Sequence, residues 1–291
     1  MRTQINEVAL RANDVLRNDV MLRINDVALR ANGLPPPFSP SGLEKHRKPC
    51  YNEPKKGGDR MPSFWSYIGN EKYNIGCTGQ TVYLYNKSGE EIKKFKDLPY
   101  AYTAAISPQG DIFVVKTTEG RLAVYSFDPP ALIKKFRFSK VDGSQDDNFC
   151  FSSDGTKFYN IERHFDSCKT ALSIYDTKDF SLKNRILNND FSVVLSSSEY
   201  CSATEELYLL GFYRNDDGVA FKYFVSKLKD DRLSGVVLIS EREFDFYRAY
   251  IDLQMKGFSK KAYDWSYFDV DVEELKKSDR SLSKLWSYYY K

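Results

Sequence analysis

Few residues in this chain are of the kinds that usually do chemistry. Among 291 residues there are two histidines, His46 and His164. Neither stands beside a serine or cysteine in a nucleophile motif, and the patterns GxSxG, HExxH, GxxxxGKS/T and GxGxxG are all absent. His164, Asp166 and Cys168 alternate along the chain. An extended backbone places all three on one side, and their donor types suit zinc. Three alternating polar residues in a loop are equally well accounted for by hydration. Asp142-Gly143-Ser144-Gln145-Asp146-Asp147-Asn148 offers the oxygen ligands that calcium takes, but without the spacing of an EF-hand loop. A solvated turn has the same composition. The five cysteines (Cys50, Cys77, Cys150, Cys168, Cys201) include no CxxC pair. That fits reduced thiols in a cytoplasmic protein better than a disulfide framework or a zinc cluster. No catalytic residue, metal site or cofactor is expected from these patterns.

Charge and composition narrow the partners. Lys and Arg total 43 against 40 Asp and Glu, a net charge of +3. This is not the basic excess that marks nucleic acid as a main partner, although Lys45–Lys56 is locally basic. No apolar run approaches the ~20 residues of a membrane-spanning helix. Met1-Arg2-Thr3-Gln4 is not followed by the apolar stretch of a secretory signal. Aromatic residues make up 15%, with 21 Tyr and 20 Phe, which favours pleated sheet.

Whatever surface the chain offers must be positioned by its elements, and four regions differ in composition. Residues 1–37 contain a degenerate seven-residue unit, seen in Asn18–Ile24 and Asn25–Ala31. Val20, Ile24, Val27 and Ala31 step by 4, 3 and 4, as in a coiled-coil stripe. An earlier unit loses two residues and Asn recurs in each, so a low-complexity extension accounts for the segment as well as a docking helix does. Residues 38–63 carry Pro40, Pro49, Pro54 and Pro62 with Lys55-Lys56-Gly57-Gly58, a linker composition. Residues 64–270 change to short alternating runs. In residues 271–291, Asp271 and Glu274 have capping-box spacing, and Leu275, Leu282, Leu285, Trp286 and Tyr289 share one helical face. This C-terminal amphipathic helix is expected to pack on the preceding domain or to dock another protein.

The third region repeats. Val82-Tyr83-Leu84-Tyr85 precedes Ile92-Lys93-Lys94-Phe95, and Leu122-Ala123-Val124-Tyr125 precedes Ile133-Lys134-Lys135-Phe136. Leu172-Ser173-Ile174-Tyr175-Asp176 precedes Ser181-Leu182-Lys183. Between these lie Ser107-Pro108-Gln109-Gly110 and, 45 residues on, Ser152-Ser153-Asp154-Gly155. Pro108 presets a turn and the closing Gly takes a left-handed conformation that joins two strands. A degraded copy spans Ser197–Leu209, with a different turn between Tyr200 and Glu206. A period of 40–50 residues with strand-turn-strand content predicts four-stranded antiparallel blades that bury one another's faces. Val82, Leu84 and Val124 are expected between blades. The paired lysines are expected on outer strands, where charge blunts an exposed edge.

Ser107-Pro108-Gln109-Gly110, Phe151-Ser152-Ser153-Asp154-Gly155 and the strand end Ile174-Tyr175-Asp176 resemble the WD40-like and related bacterial β-propeller repeats, chiefly over 81–176. The Gly-His and Trp-Asp pairs of strict WD40 repeats are absent. The expected fold is therefore all-β: a propeller-like array of four or five blades, from about seventeen strands, with a C-terminal helix. Phe221–Val225, Val236–Ile239 and Phe246–Met255 are read as further strands. The loops feeding each blade's first strand would share one end, bringing together Tyr100, Tyr102, Asp146, Asp147 and Phe191 as candidate partner-binding residues. The function expected is non-catalytic binding of a protein or peptide. The alternative is a metal-dependent propeller hydrolase or lyase, with carboxylates converging on the central channel.

Overall fold

A computed structural model describes residues 62–118, 120–137, 148–163, 169–187, 192–262, 272–277 and 280–290. Its sheets follow from alternation. In Val82-Tyr83-Leu84-Tyr85 the side chains at 82 and 84 point one way and those at 83 and 85 the other. Apolar side chains on both sides require cover on both sides, and neighbouring sheets supply it.

Sixteen strands form four antiparallel sheets, each in simple sequence order. Blade 1 is β1 (Ser66–Gly69), β2 (Tyr73–Cys77), β3 (Val82–Asn86) and β4 (Glu91–Phe95). Blade 2 is β5 (Ala101–Ile106), β6 (Ile112–Thr117), β7 (Arg121–Phe127) and β8 (Pro130–Arg137). Blade 3 is β9 (Phe149–Phe151), β10 (Lys157–Arg163), β11 (Thr170–Asp176) and β12 (Ser181–Leu187). Blade 4 is β13 (Val193–Cys201), β14 (Glu206–Arg214), β15 (Ala220–Lys229) and β16 (Arg232–Ile239). The first strands pack in series, β1 on β5, β5 on β9 and β9 on β13, so they line the inside of the array.

Three seams hold the blades together. Ile75, Cys77, Val82 and Leu84 of blade 1 pack against Phe113, Val115, Ala123 and Tyr125 of blade 2. Val114, Leu122 and Val124 meet Phe149, Phe158 and Tyr175 of blade 3. Tyr159, Ile161 and Leu172 meet Leu195, Leu209 and Phe224 of blade 4. Each such side chain, moved from water, contributes roughly 2 kcal/mol, so a seam outweighs any single polar contact in it.

The landmarks take the expected places. Ile92–Phe95 and Ile133–Phe136 both lie on fourth, outer strands, β4 and β8. Lys134 Nζ reaches the next blade, donating to the Asp179 and Phe180 carbonyls at 2.7 and 3.1 Å. The two turns have one geometry: Gly110 N donates to Ser107 O at 2.9 Å, and Gly155 N to Ser152 O at 2.9 Å. Both glycines have positive φ, 71° and 68°. In the degraded copy, β13 and β14 stay paired out to Cys201 and Glu206, and Glu205 takes the left-handed position with φ 54°.

One strand assignment is corrected. Phe246–Met255 is not a strand; it lies in helix α1 (Glu241–Met255). Ser240 and Glu243 form a capping box, with Glu243 N donating to Ser240 Oγ at 3.2 Å and Ser240 N to Glu243 Oε2 at 3.0 Å. Phe244, Tyr247 and Ile251 then fall on one helical face and are buried. The tail is two short helices, α2 (Val272–Lys277) and α3 (Leu282–Tyr289), and Ser281 caps the second through Lys284 N. Leu275, Leu282 and Leu285 join α1 in covering the face of blade 4 turned away from blade 3. Among the described residues, then, four blades are followed by a helical layer.

Candidate functional site

Strands in each blade alternate direction, so the array has two ends. The links between blades lie at one, and the first hairpin turn of every blade at the other.

At the link end, residues 96–100 carry the chain from β4 to β5. Leu98 is buried and anchors the link. Asp97 Oδ2 accepts from the Tyr125 hydroxyl at 3.1 Å, and the Asp97 carbonyl accepts from Lys135 Nζ at 3.1 Å. Beyond it, Gly79 and Ala101 exchange backbone hydrogen bonds of 2.9 and 3.2 Å. Tyr100 sits between these two fixed points with φ 61°, in the left-handed region that a bulky side chain seldom occupies. The residue is 53% exposed. A strained backbone held on both sides thus presents an aromatic ring to water.

Tyr102, two residues on, is half-buried and packs edge-to-face on Trp65, ring centroids 5.1 Å apart. Lys261 Nζ lies 4.4 Å from the centre of the Trp65 ring. Tyr102, Trp65 and Lys261 form an aromatic patch with one cation, and Tyr100 stands exposed at the same end of the array. Trp65 and Lys261 were not read from the sequence, because contacts between positions so far apart leave no local pattern. Asp146, Asp147 and Phe191 lie outside the described residues, as do His46, His164, Asp166 and Cys168 and the segment 1–61.

At the turn end, the four first strands and the end of α1 surround a cavity of about 400 Å³. Ile68, Ala104, Ile106, Phe151, Tyr200 and Met255 are among its walls, and none of the lining residues is charged. Cys150 also borders it, with its thiol pushed up to about 12 by burial, far from a nucleophilic thiolate. Cys77, buried between blades 1 and 2, is likewise pushed up to about 12. Among the described residues no group of three or more His, Cys, Asp or Glu could hold a metal ion. No helix among them is long and apolar enough to cross a membrane.

A charged cluster lies within the seam between blades 2 and 3. Glu162 on β10 is wholly buried. Asn160 Nδ2 donates to Glu162 Oε1 at 2.6 Å and Ser173 Oγ to Glu162 Oε2 at 3.3 Å. Lys116 crosses from blade 2 and donates to the Ile161 carbonyl at 2.7 Å. Burial pushes the Glu162 carboxyl up to about 7, more than Lys116, Arg185 and the two hydrogen bonds pull it down. The cluster is closed to solvent, so it acts on how the blades fit together and offers no contact surface.

No family model matches the sequence, and no curated protein does. The chain is similar to the WD40 domain of Neurospora crassa Pan2, with 13% identity and a TM-score of 0.44 over 60% of this chain and 52% of that one. It thus spans about half of that domain. The four sequential antiparallel sheets, packed through their first strands, form an all-β, propeller-like array.

Proposed function

We propose that this protein is a non-catalytic cytoplasmic scaffold that binds a protein or peptide at the link end of its blades. The observation that carries the reading is Tyr100, an exposed aromatic ring held on a left-handed backbone between a buried leucine and a β-bridge. Aromatic side chains that need little ordering on binding are favoured anchors at interfaces. Tyr102, Trp65 and Lys261 extend the surface, and the further candidates Asp146, Asp147 and Phe191 lie outside the described residues. The near-balanced charge favours a polypeptide over nucleic acid as partner.

The test is site-specific photocrosslinking in cells, with benzoylphenylalanine at position 100 and, as control, at Ile92 on the outer strand of blade 1. A discrete adduct from position 100 and none from position 92 is expected. With the captured partner purified, Tyr100→Ala should weaken binding about tenfold while leaving the melting temperature unchanged. Equal adducts from both positions, or full affinity in Tyr100→Ala, would remove the basis for this site.

A further inference from the structure

Three of the four junctions around the array are built alike. Blades 1 and 2, 2 and 3, and 3 and 4 each share a buried apolar cluster. The fourth junction is different. The cluster on the far face of blade 4 contains residues of α1, α2 and α3 and no residue of blade 1. Blade 1 is reached instead by the short segment just after α1, residues 256–261.

That segment meets β1 at its backbone. Tyr67 N donates to the Lys256 carbonyl at 3.1 Å, and Ser259 Oγ donates to the Trp65 carbonyl at 2.5 Å. Gly257, with φ 63°, lies so close that a Cβ there would overlap the Tyr67 carbonyl oxygen. Lys261 sits over the Trp65 ring. Behind it, Lys256 pairs with Asp252 at 2.9 Å, which fixes the end of α1. Two hydrogen bonds and one cation–π contact hold this junction, far fewer contacts than a seam of a dozen or so buried aromatic and aliphatic side chains makes.

We propose that residues Lys256–Lys261 are a releasable clasp, which closes the array between the helical layer and blade 1 and opens before any blade unfolds. Opening leaves the Tyr67 amide without its partner, so the inner edge of β1 is free to accept another strand. Opening thereby uncovers the inner edge of β1 without disturbing the three seams that hold the blades.

Hydrogen exchange on the full chain, read at single residues under native conditions, tests this. The Tyr67 amide should exchange at least about tenfold faster than amides of β10 and β11, through an opening smaller than global unfolding. Ser259→Ala should speed exchange at Tyr67 about fivefold further, as expected for one lost hydrogen bond, and leave β10 and β11 unchanged. Gly257→Ala should do so more strongly. If Tyr67 exchanges at the same rate as β10 and β11, the clasp is part of the global unit and the proposal fails. It fails equally if neither substitution changes exchange at Tyr67, or if both accelerate every blade together.

Discussion

Replacing Glu162 by Gln should make the protein more stable at alkaline pH and abolish part of its pH dependence. The carboxyl sits at zero exposure between blades 2 and 3. Its ordinary value of 4.5 is raised to about 7, because dehydration on burial outweighs the pull of Lys116 and Arg185. The folded state therefore holds this proton more tightly than the unfolded chain does. Below about pH 4 the group is neutral in both states and carries no penalty. As pH rises from 4.5 to about 7 the unfolded chain ionises freely while the folded one resists, so stability falls. The difference between 4.5 and about 7, at ~1.4 kcal/mol per pH unit, gives a full penalty of about 3 kcal/mol above neutral pH. Gln keeps the shape, its carbonyl accepts from Asn160, and it has no proton to lose. Urea unfolding of both proteins at about pH 5 and about pH 8 should show the variant gaining roughly 2 to 3 kcal/mol on the wild type between the two. Parallel pH dependence in the two proteins would mean that Lys116 and Arg185 fully compensate the buried charge. A variant that loses ground as pH rises would mean that they over-compensate it. Either result refutes the reasoning.

Trp286 donates from Nε1 to the Gly235 carbonyl at 2.6 Å and stacks on Tyr290, and Lys227 Nζ lies 4.1 Å from its ring centre. Trp286→Ala should cost about 2 kcal/mol in urea unfolding and, by uncovering β16, raise light scattering on heating. Gly76 lies directly under the Phe64 ring, where a Cβ would overlap it. Gly76→Ala should therefore cost about 1 kcal/mol, and Phe64→Leu in the same chain should recover part of it, as read by thermal melts. The Tyr125 hydroxyl donates to Asp97 and so holds the link that carries Tyr100. Tyr125→Phe should lower stability by about 1 kcal/mol and speed amide exchange at residues 96–100.

The blades that could be read in the sequence are those whose turns need particular residues. Ser107 to Gly110 and Ser152 to Gly155 share a left-handed glycine and a serine whose hydroxyl bridges the turn, so chemistry is conserved between copies because geometry is. Blade 4 has longer strands and a glutamate at the left-handed position, so its turn, between Tyr200 and Glu206, shows in the sequence only as a degraded copy. Phe246–Met255 was misread because Phe, Tyr and Ile favour strands as readily as the buried side of a helix. The Ser240 and Glu243 pair, spaced for a capping box, was the available signal. Glu162 was also within reach. Phe158, Asn160 and Glu162 share one side of β10, and a polar pair continuing an apolar side marks a buried network. Trp65 beneath Tyr102 had no such marker, since contacts between distant segments depend on how the blades pack.

The outer edges explain why a helical tail is needed at all. β4 and β8 carry the paired lysines, and β12 carries Lys183 and Arg185, so each presents charge where a foreign strand would pair. From Leu233 to Ile239, β16 has no charged residue, and Val236 and Leu238 are exposed. Its protection comes from elsewhere. The ladder with β15 is interrupted between Val225 and Lys227, and opposite that break Gly235 turns its carbonyl to Trp286. A Cβ at 235 would lie 2.8 Å from the Trp286 ring, so the glycine is what lets the indole close over the strand. The tail therefore replaces both the neighbour that blade 4 lacks on its far face and the lysines that its last strand lacks on its edge. A protein that displaced α3 would expose an uncharged strand and an apolar sheet face together, which makes the tail part of the array's own structure and not a free arm for docking.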